Sequence, residues 1–200
     1  MDNTVGSLGS LLTNPEDAYI LGLWGADRYL RTSSIGLSNT NLTLLYRSLD
    51  FLLERFPKER VRVRIYGNEI PKRFEGFKKS FCKCSKNVSM AYHVYVNSRP
   101  LVREFLYSLS NRKHLAKECI YPYFAGRFDG DGSISPEGTF CRIVYGDSTE
   151  LSLDRSLLTG INTSVYRYSA AGTYCLYFSK STLSKFLEGI GKYSISGKLQ

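Results

Sequence analysis

Two segments, Ile20–Arg28 and Phe124–Gly132, read as copies of one pattern in which an apolar, glycine-bearing run closes on an acid. Aligned at Gly22 and Gly126, they set Asp27 against Asp131, 131 − 27 = 104 residues apart in a chain of 200. Tyr19, Gly22, Leu23 and Ala26 share one helical stripe, and Tyr123, Gly126 and Gly130 form a similar one. Glycine inside a helix costs about 1 kcal/mol against alanine. The spacings Gly22-xxx-Ala26 and Gly126-xxx-Gly130 therefore need a compensating gain, which two closely crossing helix backbones supply. A duplicated fold built around such a crossing is the first constraint.

Each acid also stands in the last turn of its helix, at the negative end of the macrodipole, a placement that costs roughly 0.3–1 kcal/mol. If the helices pack in parallel, Asp27 and Asp131 converge at one edge of the interface and repel unless cations intervene. The pattern predicts a divalent-metal site. Asp129 is kept out of the metal set, because residues two apart on a helix point about 200° apart.

The hydrophobic fraction of 42% suffices for one sizeable core or two of about 90 residues each. A net charge of +9 favours a polyanionic partner. With only His93 and His114 present, schemes that need several histidines are disfavoured, and carboxylates must carry the chemistry. The chain has no GxxxxGK[ST] loop, dinucleotide glycine fingerprint or GxSxG elbow, so nucleotide-hydrolysing and acyl-transfer readings fall away. Cys82, Cys84, Cys119, Cys141 and Cys175 are odd in number and lack CxxC spacing, indicating neither a disulfide framework nor a zinc finger. No run reaches the ~18 apolar residues of a membrane span and the first residues lack a basic signal-peptide start. A soluble, intracellular protein with no membrane partner is expected.

Residues 1–14 read as a flexible lead, with Pro15 starting the first motif helix. Tyr29 to Leu37 reads as strand. A helix capped by Asn41 and stopped by Pro57 follows, with Leu42, Leu45, Tyr46, Leu49, Leu53 and Phe56 on one face. In residues 60–66, strict alternation sends Val61, Val63 and Ile65 to a core and Arg60, Arg62, Arg64 and Tyr66 to the other face, which suits an anionic surface. Residues 68–88 read as a basic insertion or long loop, whose cations interleaved with aromatics suit phosphate contact, with Lys78, Lys79 and Lys83 as DNA-binding candidates. Residues 89–97 read as strand and a helix starts at Pro100. The second half repeats the order, giving αββαββα-like halves over 15–113 and 114–200. Lys117 and Lys198 each stand twelve residues after a matched phenylalanine, Phe105 or Phe186.

The paired motifs resemble the LAGLIDADG homing endonuclease family, in its single-chain, two-motif, intron-encoded type. The first copy departs from the family pattern at Gly25, where the earlier acid usually stands, and at Arg28, where the final glycine usually stands; the second keeps both, as Asp129 and Gly132. The resemblance implies an α+β fold of two pseudo-symmetric halves with saddle-shaped antiparallel sheets. These pack through two parallel motif helices, with Gly22, Ala26, Gly126 and Gly130 at the helix interface. It implies a site-specific endonuclease of double-stranded DNA that cuts a long, non-palindromic site and leaves short 3′ overhangs. Asp27 and Asp131 would hold Mg²⁺, two or three ions in all, with other divalent ions able to substitute. Lys117 and Lys198 would stabilise transition-state charge near each scissile phosphate, with Lys113 competing for the first role. Base-reading candidates are Arg31, Ser33, Arg62, Arg64 and Tyr66 in the first half, and Ser133, Arg142, Tyr166 and Tyr168 in the second. A monomer is expected, in an archaeal cytoplasm rather than an organelle. Intron RNA is a further partner under the alternative of an RNA maturase. A non-catalytic DNA-binding relative is the other alternative, against which the two intact acids argue.

Overall fold

The computed structural model describes residues 10–27, 33–82 and 90–199; Arg28, Arg31 and Lys83 lie outside the described residues. In chain order the elements are α1 (Ser10–Thr13), α2 (Pro15–Asp27), β1 (Ser34–Asn39), α3 (Leu42–Leu53), β2 (Arg62–Tyr66), β3 (Lys78–Cys82), β4 (Ala91–Asn97) and α4 (Arg99–Ser110). Then come α5 (Lys117–Asp131), β5 (Gly132–Ile134), β6 (Cys141–Tyr145), α6 (Ser148–Leu157), β7 (Ser164–Tyr168), β8 (Thr173–Phe178) and α7 (Lys180–Gly191). The described residues fall into two compact units, those within 27–106 in one and 10–26 with 107–199 in the other. The first motif helix thus belongs, up to Ala26, with the second motif helix rather than with the strands that follow it.

The glycine stripes explain that grouping. A Cβ on Gly22 would stand 1.9 Å from the carbonyl oxygen of Tyr123, and one on Gly126 2.0 Å from that of Tyr19. Only hydrogen fits at either crossing point, so α2 and α5 are in backbone contact. Asn14 caps α2, its side-chain oxygen accepting from the amides of Glu16 at 2.9 Å and Asp17 at 3.2 Å. The lead, read as flexible through residue 14, is helical from Ser10. Leu11 is buried and the Leu12 carbonyl accepts from the Ala116 amide at 2.9 Å. That bond joins the chain entering α2 to the chain entering α5, so the two motif helices run parallel.

In the first unit the strand order is β1-β4-β2-β3. Val63 and Ile65 face inward and Arg62, Arg64 and Tyr66 outward, as alternation requires. Helix α3, capped by Asn41 through the Thr43 amide at 2.9 Å, lies on β1 and β4. The segment read as a long basic loop instead contains a turn of 3₁₀ helix at Lys72–Phe74 and strand β3, which pairs in parallel with β2. Phe74, fully buried between the rings of Tyr46 and Tyr92 at 5.5 Å each, anchors the crossover. The run of lysines masked a strand that tertiary pairing completes. Over the described residues the first half reads αβαβββα.

The second half, from α5 to α7, keeps the expected αββαββα order, with an antiparallel sheet β5-β6-β8-β7. Its core gathers Phe124, Phe128 and Phe178 around Phe186, the last two stacked at 3.9 Å. Each fully buried phenylalanine contributes roughly 1.5–3 kcal/mol of transfer free energy.

Candidate functional site

Asp27 is the last residue of α2 and Asp131 the last of α5, and both are half-exposed. Asn39, at the end of β1, donates from Nδ2 to Oδ2 of Asp27 at 3.1 Å, which orients that carboxylate. Asp131 stands between Gly130 and Gly132, whose carbonyl oxygens both accept from Lys198 Nζ, at 3.0 and 2.9 Å. Asp129, two residues earlier, is 1% exposed. Its oxygens accept from the Tyr19 hydroxyl at 2.7 Å, Ser194 Oγ at 2.5 Å, the Ile195 amide at 2.8 Å and Ser196 Oγ at 2.7 Å. A carboxylate so surrounded is a structural acceptor.

The donor chemistry of the two terminal acids fits a hard divalent cation. Among the described residues no three His, Cys, Asp or Glu side chains converge into a closed cage. Magnesium keeps several of its waters and takes only one or two protein carboxylates beside phosphate oxygens, so a single half-buried carboxylate such as Asp27 or Asp131 suits it chemically.

Of the two lysines, Lys117 lies far from the acid of its own helix and Lys198 lies beside it. Lys117 is the first residue of α5, fourteen residues ahead of Asp131 and so about 21 Å away along the helix axis. It stands at the opposite end of the motif helix from the acid, too far to reach a phosphate held there. Lys198 does lie at the acid end, but its Nζ donates to the carbonyls of Phe128 (3.1 Å), Asp129 (2.8 Å), Gly130 and Gly132. Its ammonium thus lies against the carbonyl end of α5.

Each sheet presents a polar, aromatic face. In the first unit Arg62 lies opposite Lys78 and Tyr95, and Arg64 opposite Ser80 and His93, so these side chains share one face with Tyr66. Lys79 alternates to the other face, where its Nζ approaches the Phe74 carbonyl at 3.5 Å. Ser33 precedes β1 and is exposed, its carbonyl accepting from the Ser98 amide at 3.1 Å. His93 and Tyr95 belong to this face although no role was assigned to them from sequence; their rings stack at 4.6 Å, and Arg64 lies 5.7 Å from the Tyr95 ring. Burial, with the Arg64 charge beside it, lowers the His93 pKa to about 4, so its imidazole is neutral near pH 7.

In the second unit Arg142 donates to Ser133 Oγ at 3.1 Å and approaches the Tyr168 hydroxyl at 3.5 Å. Tyr177, opposite Arg142 in register, stacks on Phe140 at 5.0 Å and meets Tyr166 edge-on at 5.3 Å. Ser133, Arg142, Tyr166 and Tyr168 are thus one surface, to which Tyr177 is added. Alternation along β8 could have placed Tyr177 there.

Sequence reasoning also missed a buried ionic cluster beneath α5. Asp154 of α6, wholly inaccessible, accepts from the Tyr123 hydroxyl at 2.9 Å and the Tyr145 hydroxyl at 2.8 Å. It pairs with Arg112, and with Arg127 at 3.4 Å. Burial, together with the Asp154 charge, pushes both phenols above their usual range. Arg127 also runs beside Gly25, where a Cβ would lie 3.2 Å from its guanidinium.

Two parallel helices crossing through glycine, each closing on an acid and feeding a four-stranded sheet, are the hallmarks of the two-motif LAGLIDADG fold. The chain has that fold. By sequence it matches no protein-family model and no curated protein. By structure it is similar to the homing endonuclease I-DmoI in complex with DNA and manganese, with a TM-score of 0.63 and 17% identity over 88% of this chain and 96% of that one. The I-DmoI complex with DNA and calcium gives 0.63 and 17% over 88% of each. The N-terminal LAGLIDADG domain of DUF199/WhiA gives 0.56 and 17% over 92% and 87%.

Proposed function

We propose that this chain is a metal-dependent endonuclease of double-stranded DNA, acting as a monomer on a long, non-palindromic site. The observation that carries the reading is the pair of parallel motif helices in backbone contact, each ending five residues past its crossing glycine in a half-exposed aspartate, 27 − 22 and 131 − 126. On this reading Asp27 and Asp131 hold the divalent ions against the two scissile phosphates. A bound ion supplies an activated water and offsets charge on the leaving oxygen. The protein contributes positioning: Asn39 orients Asp27, and the fixed end of α5 orients Asp131. The polar sheet faces supply DNA contacts, Arg62, Arg64, Tyr66 and Lys78 in one unit and Ser133, Arg142, Tyr166 and Tyr168 in the other. Because these two sets differ residue by residue, a target with unlike halves follows. The similarity to I-DmoI, solved with DNA and with manganese, magnesium or calcium, supports the same substrate and cofactor class.

The test begins by incubating the protein and magnesium with a randomised duplex library to recover a cut sequence, then scores that sequence with Asp27→Asn and Asp131→Asn. Each variant loses the double-strand product and at most nicks one strand. Double-strand cutting at the wild-type rate by either would sink the assignment.

A further inference from the structure

We propose that the segment Ser194–Lys198, which follows α7, is a strap that positions Asp131 and thereby serves cleavage of one DNA strand only. The inference rests on the endonuclease reading above. Two glycines flank Asp131, and glycine leaves a helix end conformationally free. Gly132, with φ −86° and ψ 155°, takes the chain straight into β5, so no left-handed turn closes the carbonyls of α5. Lys198 closes them instead. Its ammonium holds the carbonyls on both sides of Asp131, at Gly130 and Gly132, and those of Phe128 and Asp129 behind them.

The strap is itself fastened at Asp129, the buried carboxylate that takes both serine hydroxyls and the Ile195 amide. Asp129 thus acts as the anchor and Lys198 as the clamp. Both are positioning residues that work through Asp131 without contacting substrate. An ammonium at this point also offsets the negative end of the α5 dipole, which two acids in its last turn would otherwise aggravate.

Among the described residues, the first motif lacks the acid that anchors this strap. The position matching Asp129 is Gly25, since 129 − 104 = 25, which offers no carboxylate to fasten a strap. Tyr19 donates to Asp129, whereas its counterpart Tyr123 donates to Asp154 of α6. Among the described residues, Asn39 orients Asp27 through a side-chain hydrogen bond. The hydrogen bond from Asn39 to Asp27 shares no residue with the strap, so the strap can be disabled without touching that contact.

Three variants are compared on a duplex labelled separately on each strand: Lys198→Met, the double variant Ser194→Ala/Ser196→Ala, and Asp131→Asn, which identifies the strand cut at Asp131. Lys198→Met slows that strand by about 100-fold and the double serine variant by about tenfold, in the range of a small misplacement of a catalytic group. The other strand is cut at the wild-type rate, so both variants become nickases. Amide hydrogen exchange across residues 128–134, without metal or DNA, rises in both variants and stays at the wild-type level in Asp131→Asn.

Equal slowing of both strands, or a strand effect in Lys198→Met without one in the serine variant, overturns the strap; the second pattern would mean that Lys198 meets the phosphate itself. Unchanged exchange also overturns it. Ser196→Ala alone leaves Asp129 three donors, so the exchange measurement stands even if Lys198→Met fails to fold. Should the wild-type protein cut no duplex, the endonuclease reading fails while exchange still decides whether the strap holds the end of α5.

Discussion

At Gly22 and Gly126 the contact is backbone on backbone, and the atom that a side chain would strike is a carbonyl oxygen with no rotamer to change. Gly126→Ala should therefore cost about 3 kcal/mol, the upper end of ordinary overpacking, read as a lowered urea midpoint at unchanged slope. A loss below about 0.5 kcal/mol would mean that the helices can separate at no cost. These glycines were legible in sequence because an interior helical glycine needs a reason and the two share a register. Asp129 was legible only by exclusion. Helical geometry turns it away from Asp131, but the donors that bind it, Ser194 and Ser196, lie 65 and 67 residues away.

At the scale of elements, α6 is joined to α5 by charge as much as by apolar packing. Asp154 is the carboxylate that two buried guanidinium groups and two phenols share. Asp154→Asn would leave Arg112 and Arg127 buried without a countercharge, at a cost of about 3–5 kcal/mol. Chemical denaturation of the purified variant measures that loss, and stability within about 1 kcal/mol of wild type would show that solvent reaches the cluster. No local pattern announced this pairing, since Asp154 stands in an amphipathic helix where an acid reads as surface. Strand β3 escaped for a related reason. Lys78, Lys79 and Ser80 have little strand propensity of their own, and pairing with β2 plus the buried Phe74 decides their conformation. Where propensity, capping and period agree, as in α3 after Asn41, the element forms as the sequence reads it, although it ends at Leu53, short of Pro57, and leaves Leu53 exposed and Phe56 outside the helix.

For the whole molecule, the charge of +9 predicts, under the proposed function, a DNA affinity that is a steep function of salt. Each phosphate contact contributes a slope of about −0.9 in log K against log salt. If Arg64 and Arg142 each meet a phosphate, Arg64→Gln and Arg142→Gln each reduce the slope by about one contact, whereas Tyr177→Ala weakens binding at unchanged slope. Fluorescence anisotropy with a calcium-loaded, uncleaved duplex at several salt concentrations distinguishes these outcomes. Slopes unchanged by both arginine substitutions would place the phosphate contacts off the sheet faces.

The sequence by itself determined the duplication, the glycine crossing, the two terminal acids and the outward face of β2. All four rest on periods of two or 3.6 residues, or on a motif repeated at one spacing, and such regularities survive in one dimension. Only the tertiary structure decided what holds the acids. Asn39 on Asp27, Lys198 on the end of α5, the serines on Asp129 and Asp154 beneath Tyr123 are contacts between residues 12 to 70 positions apart. Each is a matter of which polar group reaches which once the chain is folded, and no period records it.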